Sequence, residues 1–306
     1  MKILVTGGAG FIGSHVADAY IAAGHNVVII DDLSTGTMKN VNPKAKFHKL
    51  DVRSNKIKSI FEREKIDVVN HHAAQMDVRR SVEDPAYDAS INVLGGLNVL
   101  EHCKRFGVKK FIFASTGGAI YGEQDYFPAS EDHPVRPLSP YGITKLATEK
   151  YLYYYKEVFD VQSVILRYAN VYGPRQNPHG EAGVVAIFAS KMLAGQQPVI
   201  NGDGKQTRDY VYVKDVVNAN VTALGYKGSD VFNIGMGMET DVNQLFRMLR
   251  ESSGSRCEEQ HGPPKSGEQK RSVIDPSKAR KILGWQPEFS LPQGLKETVE
   301  YFKTHR

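Results

Sequence analysis

The chain has 306 residues, of which 41% are hydrophobic and 24% charged, and its formal net charge is +5. This is the composition of a globular protein with a large core; the mild, scattered positive charge argues against a nucleic-acid-binding protein, and no apolar stretch approaches the ~18 residues that span a bilayer. Cys103 and Cys257 fit neither a disulfide framework nor a metal site, so we expect a cytoplasmic protein with reduced thiols and no metal.

Strand and helix patterns alternate along the first half of the chain. KILVTG predicts a strand, FIGSHVADAYIAAG a helix that ends at Gly24, and NVVIID a second strand. Further strands are predicted in AKFHKLD, DVVNHHAA, KKFIFAS and VQSVILRYAN, with helical stretches between most of them. Continuous apolar strands in repeated β-then-α units predict an α/β fold with a doubly wound, Rossmann-type parallel sheet.

The pattern changes after about Val171, where loops rich in Gly, Pro and polar residues separate shorter elements. RDYVYVKDVVNANVTAL and VFNIG look like a strand–helix–strand that rejoins the first domain. We therefore predict a larger domain of residues 1–171 plus about 211–238. A smaller α/β C-terminal substrate domain comprises residues 172–210 and 239–306.

VTGGAGFIGS joins the first predicted strand to the first helix. Gly7, Gly10 and Gly13 form one glycine pattern, and Gly8 replaces Gly7 in a second, overlapping one. Such glycines allow a tight turn and the close approach of a pyrophosphate, and the helix N-terminus supplies free N–H groups. Because the loop follows a strand and opens a helix, it indicates a dinucleotide site rather than an ordinary Gly-rich turn.

Carboxylates end the next two predicted strands. Asp31 lies 18 residues past Gly13, where a carboxylate accepts hydrogen bonds from the adenosine ribose and repels a 2′-phosphate. No Arg follows it in DDLSTGTMK, so NAD is favoured over NADP; the alternative is that Asp31 only caps a turn. Asp51 and Val52 could meet the adenine, although Asp at a strand end is also ordinary turn chemistry.

Tyr141 and Lys145 lie four residues apart in the helical stretch SPYGITKLATEKYLYYYKEVF and so share one face. A free tyrosine has a pKa near 10. A Lys cation and a positively charged nicotinamide would lower this pKa, so that the phenolate could take a proton from a sugar hydroxyl. Ser115 or Thr116, at the end of the strand in FIFASTGGAIYG, could orient the substrate oxygen.

TGGAGFIGS, DDLSTG, HHAAQ, INVLGGLNVL, SPYGITK, RYANVYGPR, GDGKQTRDYVYVKD and FNIG occur in this order along the chain. By these motifs the whole chain resembles the extended short-chain dehydrogenase/reductase family, and within it the nucleotide-sugar 4-epimerases of the UDP-glucose 4-epimerase type. The resemblance implies NAD as cofactor, a UDP-sugar as substrate and 4-epimerisation through a transient 4-keto sugar. It also implies a homodimer paired through the Tyr-rich helix and the helix from about Pro85 to Phe106.

The resemblance assigns roles to individual residues. It implies Thr116 as the active hydroxyl, with Ser115 as the alternative, Tyr141 as the general base and Lys145 as its partner. The implied NAD contacts are Gly7, Gly10, Phe11, Ile12, Gly13, Asp31, Asp32, Leu33, Asp51, Val52, Ala73, Ala74, Gln75, Asn92, Tyr141, Lys145 and Ala169. The implied substrate contacts are Thr116, Tyr141, Asn170, Gly183, Val184, Arg208, Lys265, Glu268, Arg271 and Ser272.

Three substrate contacts decide how the nucleotide sugar would be held. Arg208 is implied to bind the diphosphate, since a planar guanidinium suits that anion. Lys265 stands where family members usually carry a second Arg, and Arg271 is the alternative for that contact. Ser272 falls near the position beside the sugar's C2 substituent, where a small residue leaves room for an N-acetyl group. This extends the predicted substrates from UDP-glucose and UDP-galactose to UDP-GlcNAc and UDP-GalNAc.

The residues after Thr116 bear on which reaction is catalysed. The Gly117–Gly118 pair makes this stretch one residue longer than the commoner family pattern, and it lacks the acidic residues that dehydratases and decarboxylases of the family carry. Epimerisation is therefore favoured over those reactions, and UDP-glucuronate remains an alternative substrate. Dinucleotide-sensing proteins on this scaffold tend to lose the Tyr or the Lys, and both are present here.

Overall fold

The computed structural model describes residues 1–178, 183–265 and 269–305. The strands in these ranges are β1 Lys2–Thr6, β2 Asn26–Asp31, β3 Lys46–Lys49, β4 Val68–His71, β5 Lys110–Thr116, β6 Gln162–Tyr168, β7 Asn170–Tyr172, β8 Ile200–Asn201, β9 Thr207–Arg208, β10 Tyr210–Tyr212, β11 Asp230–Ile234, β12 Thr240–Asp241, β13 His261–Gly262 and β14 Arg271–Ser272. The α-helices are α1 Phe11–Ala22, α2 Ile57–Glu64, α3 Val78–Glu83, α4 Pro85–Ala89, α5 Gly96–Phe106, α6 Gly117–Ile120, α7 Pro140–Phe159, α8 Val184–Leu193, α9 Val213–Gly225, α10 Val242–Ser253 and α11 Leu291–Thr304. Shorter helical turns cover Met38–Asn40, Ser90–Gly95 and Ala279–Leu283.

A parallel sheet of seven described strands forms the centre of the molecule, in the order β3-β2-β1-β4-β5-β6-β11. Val5 of β1 pairs with Ile29 on one side and with Asn70 on the other. The strand order reverses direction at β1, and ligands of such sheets bind at the carboxyl ends of the strands next to that point. The predicted doubly wound α/β fold is confirmed.

Both faces of the sheet are covered by helices. Val16 of α1 and Val216 of α9 pack on one face together with Val5 and Ile112. On the other face Leu152 of α7 packs in a cluster with α2 and α5. Strands covered on both faces must be apolar on both sides, which explains the unbroken apolar runs in the sequence.

A third apolar cluster lies outside the main sheet and is built from residues after 171. It contains Tyr172, Phe188 of α8, Phe246 of α10 and Val299 of α11. Small sheets of paired short strands, β10-β7, β12-β9-β14 and β13-β8, accompany it. These elements lie at the carboxyl edge of the main sheet, because β7 follows the end of β6 after one residue.

Two element boundaries differ from the predictions. The first helix ends at Ala22, and Gly24, with a φ of +81°, lies beyond its cap. The predicted strand VQSVILRYAN is divided, since Ala169 donates its N–H to Ile234 and Asn170 donates to Asp209, so that β7 leaves the main sheet for β10. Tertiary pairing therefore decides where these elements stop.

None of the helices in the described ranges is long and apolar enough to cross a membrane. Over the same ranges, no group of three His, Cys, Asp or Glu side chains is placed to hold a metal ion.

Candidate active site

The glycine loop between β1 and α1 has two positions that exclude side chains. A Cβ on Gly7 would lie 2.6 Å from the backbone nitrogen of Ala73, and one on Gly13 would lie 2.3 Å from the carbonyl oxygen of Gly7. No side chain among the described residues caps the N-terminus of α1, so its first N–H groups are available to an anion. The loop therefore fits a dinucleotide pyrophosphate.

Asp31 lies at the end of β2 beside this loop. Its carboxylate accepts hydrogen bonds from the backbone N–H groups of Ala9 at 2.9 Å and Leu33 at 2.8 Å. Burial raises the pKa of Asp31, and the two backbone bonds partly oppose that shift. The next residue, Asp32, is exposed and accepts from the N–H of Ser34 at 2.9 Å. Of the two carboxylates, that of Asp31 contacts the glycine loop.

Asp51 and Val52 follow the end of β3. Asp51 forms an ion pair with Arg53 at 2.6 Å, and hydrogen bonding from Arg53 lowers the pKa of Asp51. Val52 is buried and packs near Gly95. Both residues are therefore fixed by local contacts beside the same edge of the sheet.

The segment after β4 is tied to α7 through Asn92. Ala73 donates its N–H to the hydroxyl of Thr6 at 3.2 Å, beside the glycine loop. Gln75 exchanges backbone hydrogen bonds with the Asn92 side chain at 2.8 and 2.9 Å, and the Asn92 amide also donates to Thr144 at 3.1 Å. Asn92 thus uses its amide to hold the predicted cofactor segment against the helix that begins at Pro140.

Tyr141 and Lys145 lie in the first half of α7, whose N-terminus is capped by Ser139. The ammonium of Lys145 is buried, donates to the carbonyl of Ala114 at 2.9 Å and lies 5.9 Å from the centre of the Tyr141 ring. Burial lowers the pKa of Lys145 to about 8, and the charges of Asp88 and Glu149 oppose that shift. The structure brings this pair to the end of β5.

Thr116 and Asn170 lie close together across Gly118. A Cβ on Gly118 would lie 3.4 Å from Oδ1 of Asn170 and 3.9 Å from Oγ1 of Thr116. Thr116 caps α6 by accepting from the N–H of Ala119 at 3.2 Å. Ser115 instead donates to the buried carboxylate of Glu149 at 2.6 Å. Of the two hydroxyls, that of Thr116 is the one beside Asn170.

The predicted substrate residues of the C-terminal half gather around β9. Arg208 in β9 pairs with Ser272 of β14, whose side chain is buried. Arg271 is bound by the carboxylate of Glu239 at 2.7 and 2.9 Å, and its guanidinium lies 3.7 Å from the centre of the Phe127 ring.

The remaining predicted substrate residues are more scattered. Gly183 precedes the first turn of α8, which begins at Val184. Lys265 is exposed, and Glu268 lies outside the described residues.

Sequence reasoning missed the buried residues that support this edge. The carboxylate of Glu149 accepts hydrogen bonds from the hydroxyl of Ser115 and from two nitrogen atoms of Arg167. Because Glu149 lies four residues after Lys145, helical periodicity could have placed it on the same face. Asp209 accepts the N–H groups of Met236 and Gly237, and burial raises its pKa to about 7. Nothing local in the sequence distinguishes Asp209, because its partners are distant along the chain.

The family model "NAD dependent epimerase/dehydratase family" matches residues 3–235. The chain belongs to this family. Its members depend on NAD, in agreement with the glycine loop and Asp31. The resemblance stated from the sequence motifs is thereby confirmed.

Other members of the family match over almost the entire chain. The UDP-glucose 4-epimerase of Mycolicibacterium smegmatis is 45% identical and covers 99% of both proteins. A Thermotoga maritima UDP-glucose 4-epimerase, solved with UDP-glucose, has 50% identity, a TM-score of 0.98 and 99% coverage of both chains. The Thermus thermophilus UDP-glucose 4-epimerase in complex with NAD has 43% identity, a TM-score of 0.95 and 100% coverage of both. These relatives are isomerases.

Proposed function

We propose that this protein is an isomerase that catalyses the NAD-dependent 4-epimerisation of a UDP-sugar. The observation that carries the proposal is the placement of Lys145 beside Tyr141, with its ammonium on the carbonyl of Ala114, two residues before Thr116. This pair lies at the same carboxyl edge of the sheet as a glycine loop that fits a dinucleotide. The stretch after Thr116 holds glycines instead of the acids that an elimination needs. The two relatives solved with UDP-glucose or NAD support the same reaction.

In the proposed reaction Tyr141 removes the proton of the sugar 4-hydroxyl through its phenolic oxygen and later returns it. Lys145 supplies positive charge beside that phenol, which favours the phenolate. Thr116 donates a hydrogen bond that orients the 4-oxygen, and Asn170 lines the same space. NAD, which the glycine loop and Asp31 would hold, would supply the hydride acceptor for C4 and the hydride donor for the 4-keto sugar.

The ligand contacts are proposed as the sequence predicted them, with one choice narrowed by geometry. For the second diphosphate contact, the exposed Lys265 is preferred over Arg271, since the guanidinium of Arg271 already has Glu239 as a bidentate partner. The glycine loop and Asp31 hold the NAD pyrophosphate and adenosine ribose. Ser272 is buried beside Arg208, and its small side chain supports acceptance of an N-acetyl group at C2.

The test is an assay of the purified protein with UDP-galactose, UDP-GalNAc and UDP-glucuronate that resolves C4 epimers. We expect turnover of UDP-galactose; no epimer from any of the three would refute the proposal. Turnover of UDP-galactose with UDP-GalNAc untouched would refute the part assigned to Ser272.

Replacement of the base gives a second prediction. Tyr141→Phe should lower kcat by about 10²–10⁴-fold while NAD stays bound, because the phenol takes the proton and does not carry the cofactor. Tyr153→Phe, on the exposed side of the same helix, is the matched control. Activity retained in Tyr141→Phe would remove Tyr141 as the base.

We further propose a two-domain organisation, with residues 1–171 plus about 211–238 binding NAD and residues 172–210 and 239–306 binding the nucleotide sugar. The separate apolar cluster supports this division, since most of its buried residues belong to the second region and only Tyr212 and Val213 to the first. A cytoplasmic location is supported by the unpaired cysteines. A homodimer is supported by the apolar face that α7 leaves exposed, with Ile143, Tyr154 and Val158.

A further inference from the structure

Glu149 is a buried carboxylate at the junction of three elements that build the site. It lies on α7, four residues after Lys145 and eight after Tyr141. Its carboxylate accepts a hydrogen bond from the hydroxyl of Ser115 in β5 at 2.6 Å. It accepts two more from Nε and Nη2 of Arg167 in β6, at 3.0 and 2.6 Å. The helix of the Tyr–Lys pair is thereby bonded to the strand end on which Thr116 follows Ser115.

The bonds continue beyond Arg167 to the far side of the Gly117–Gly118 segment. Nη1 of Arg167 donates to the hydroxyl of Tyr121 at 3.0 Å, and Tyr121 donates to Asn233 of β11 at 2.7 Å. Ser115 precedes the glycine pair and Tyr121 follows it. One carboxylate therefore fixes, directly or through Arg167, both ends of the segment that begins with Thr116.

Stability alone is a weak reason for this arrangement. The side chains of Glu149 and Arg167 are 5% and 7% exposed, and burying such a pair costs about as much desolvation energy as its attraction returns. Apolar side chains of similar volume would fill the same space. The placement of the pair points instead to the neighbouring groups that it orients.

We propose that Glu149 is a positioning residue of the epimerisation, which holds the end of β5 against the helix of Tyr141 and Lys145 and supplies negative charge beside the Lys145 ammonium. This inference rests on the proposed function. Glu149 does not touch the reacting atoms; it acts through Ser115 and Lys145.

The charged and titratable groups around Lys145 determine the expected pH effect. Tyr141 and Glu149 face it from its own helix, Asp88 from α4, and His71 and His72 from the end of β4, while Arg167 lies behind Glu149. Burial lowers the pKa values of His71 and His72 to about 3, so both are neutral at pH 7.

Asp88 and Glu149 are the acids that oppose the fall in the pKa of Lys145. Removing the charge of Glu149 should therefore lower the pKa of Lys145 below about 8. The ammonium would then lose its proton at a lower pH.

The experiment compares kcat, KM and the pH profile of wild type and Glu149→Gln. We expect kcat to fall about tenfold to a hundredfold, as for a misplaced catalytic group, with KM changed less than threefold. The alkaline limb of kcat/KM should move to lower pH. In Glu149→Asp, which keeps a carboxylate, the alkaline limb should lie closer to its wild-type position. An alkaline limb that does not move in Glu149→Gln would overturn the inference.

Tyr121→Phe is the matched control, because it removes a bond of Arg167 but leaves the carboxylate in place. Tyr121→Phe should lower the melting temperature without moving the alkaline limb of kcat/KM. If it moved this limb as far as Glu149→Gln does, the effect of Glu149 would be structural only. If Glu149→Gln does not fold, the double variant Glu149→Gln/Arg167→Gln leaves no lone buried charge, and the same shift is expected.

A titration of Lys145 by NMR in protein with ¹³C-labelled lysine separates this inference from the proposed function. The signal is assigned by its loss in Lys145→Arg. A wild type without turnover would refute the epimerase proposal, whereas an unchanged Lys145 titration in Glu149→Gln would refute the role of Glu149 whether or not the protein turns over.

Discussion

Gly117 and Gly118 are adjacent, but their surroundings differ. A Cβ on Gly117 would lie 2.8 and 3.0 Å from side-chain carbons of Ile274 and 3.3 Å from the carbonyl oxygen of Tyr168. A Cβ on Gly118 would make ordinary contacts with Asn170 and Thr116. A side chain at 117 would therefore have to displace Ile274, whereas glycine at 118 keeps open the space between two proposed substrate contacts.

This difference predicts that alanine at 117 lowers the stability of the fold, whereas alanine at 118 lowers the activity. Gly117→Ala should destabilise the fold by about 1–3 kcal/mol through overpacking. Gly118→Ala should change the free energy of unfolding by less than about 1 kcal/mol, yet lower kcat/KM for the UDP-sugar about tenfold because the methyl group occupies the ligand's space. Urea denaturation and steady-state kinetics measure both. Wild-type kinetics in Gly118→Ala would show that no ligand atom enters this space.

Helix α7 has two faces with separate tasks. Its inner face carries Lys145, Glu149 and Leu152, all buried against the sheet. Its outer face exposes Ile143, Tyr151, Tyr154 and Val158, and a shallow apolar hollow there is lined by Ala147, Lys150, Tyr151 and Tyr154. A continuous apolar strip of this kind on a surface helix is typical of a protein–protein interface.

The apolar outer face of α7 predicts that the protein is a homodimer. Tyr154→Glu should convert the proposed homodimer to a monomer, because a carboxylate would be buried unpaired in the interface. Light scattering coupled to size-exclusion chromatography measures the mass, and Tyr153→Glu, away from the strip, is the control. A dimer in Tyr154→Glu, or a monomeric wild type, would contradict the assignment of this face.

At the scale of the whole molecule, folding buries ionisable groups in the sheet layer. His72 follows β4 and stacks on Tyr168, with ring centres 6.3 Å apart. Burial, and to a lesser extent the charge of Lys145, lowers the pKa of His72 from 6.5 to about 3. Between these two values the unfolded chain binds a proton that the folded protein does not, so the free energy of unfolding falls as the pH decreases.

His72→Phe should make this pH dependence shallower, because it keeps a ring beside Tyr168 but binds no proton. We expect the slope of the free energy of unfolding between pH 6 and 4 to decrease by about 1.4 kcal/mol per pH unit relative to wild type. Urea denaturation across this range measures it, with replacement of the exposed His305 as the control. Equal slopes in His72→Phe and wild type would mean that His72 is protonated in the fold.

Local spacing in the sequence was sufficient for the fold class, for the glycine loop and for the shared helix face of Tyr141 and Lys145. Turn geometry constrains the glycine loop within seven residues, and helical periodicity places Tyr141 and Lys145 on one face. Both are short-range properties, so a single sequence carries them. The apolar runs likewise predicted a parallel sheet, since a strand buried on both faces has no polar side.

Tertiary structure alone decided which distant side chains meet. Asn170 lies close to Thr116 because β6 lies beside β5 in the sheet. The same strand pairing brings Ser115 and Arg167 together, so that both donate hydrogen bonds to Glu149. Arg271 is bound to Glu239 across two short strands. These contacts depend on sheet order and on burial, which sequence spacing does not encode. The sequence determined the types of chemistry available, and the packing of β5, β6 and α7 determined which of those groups act together.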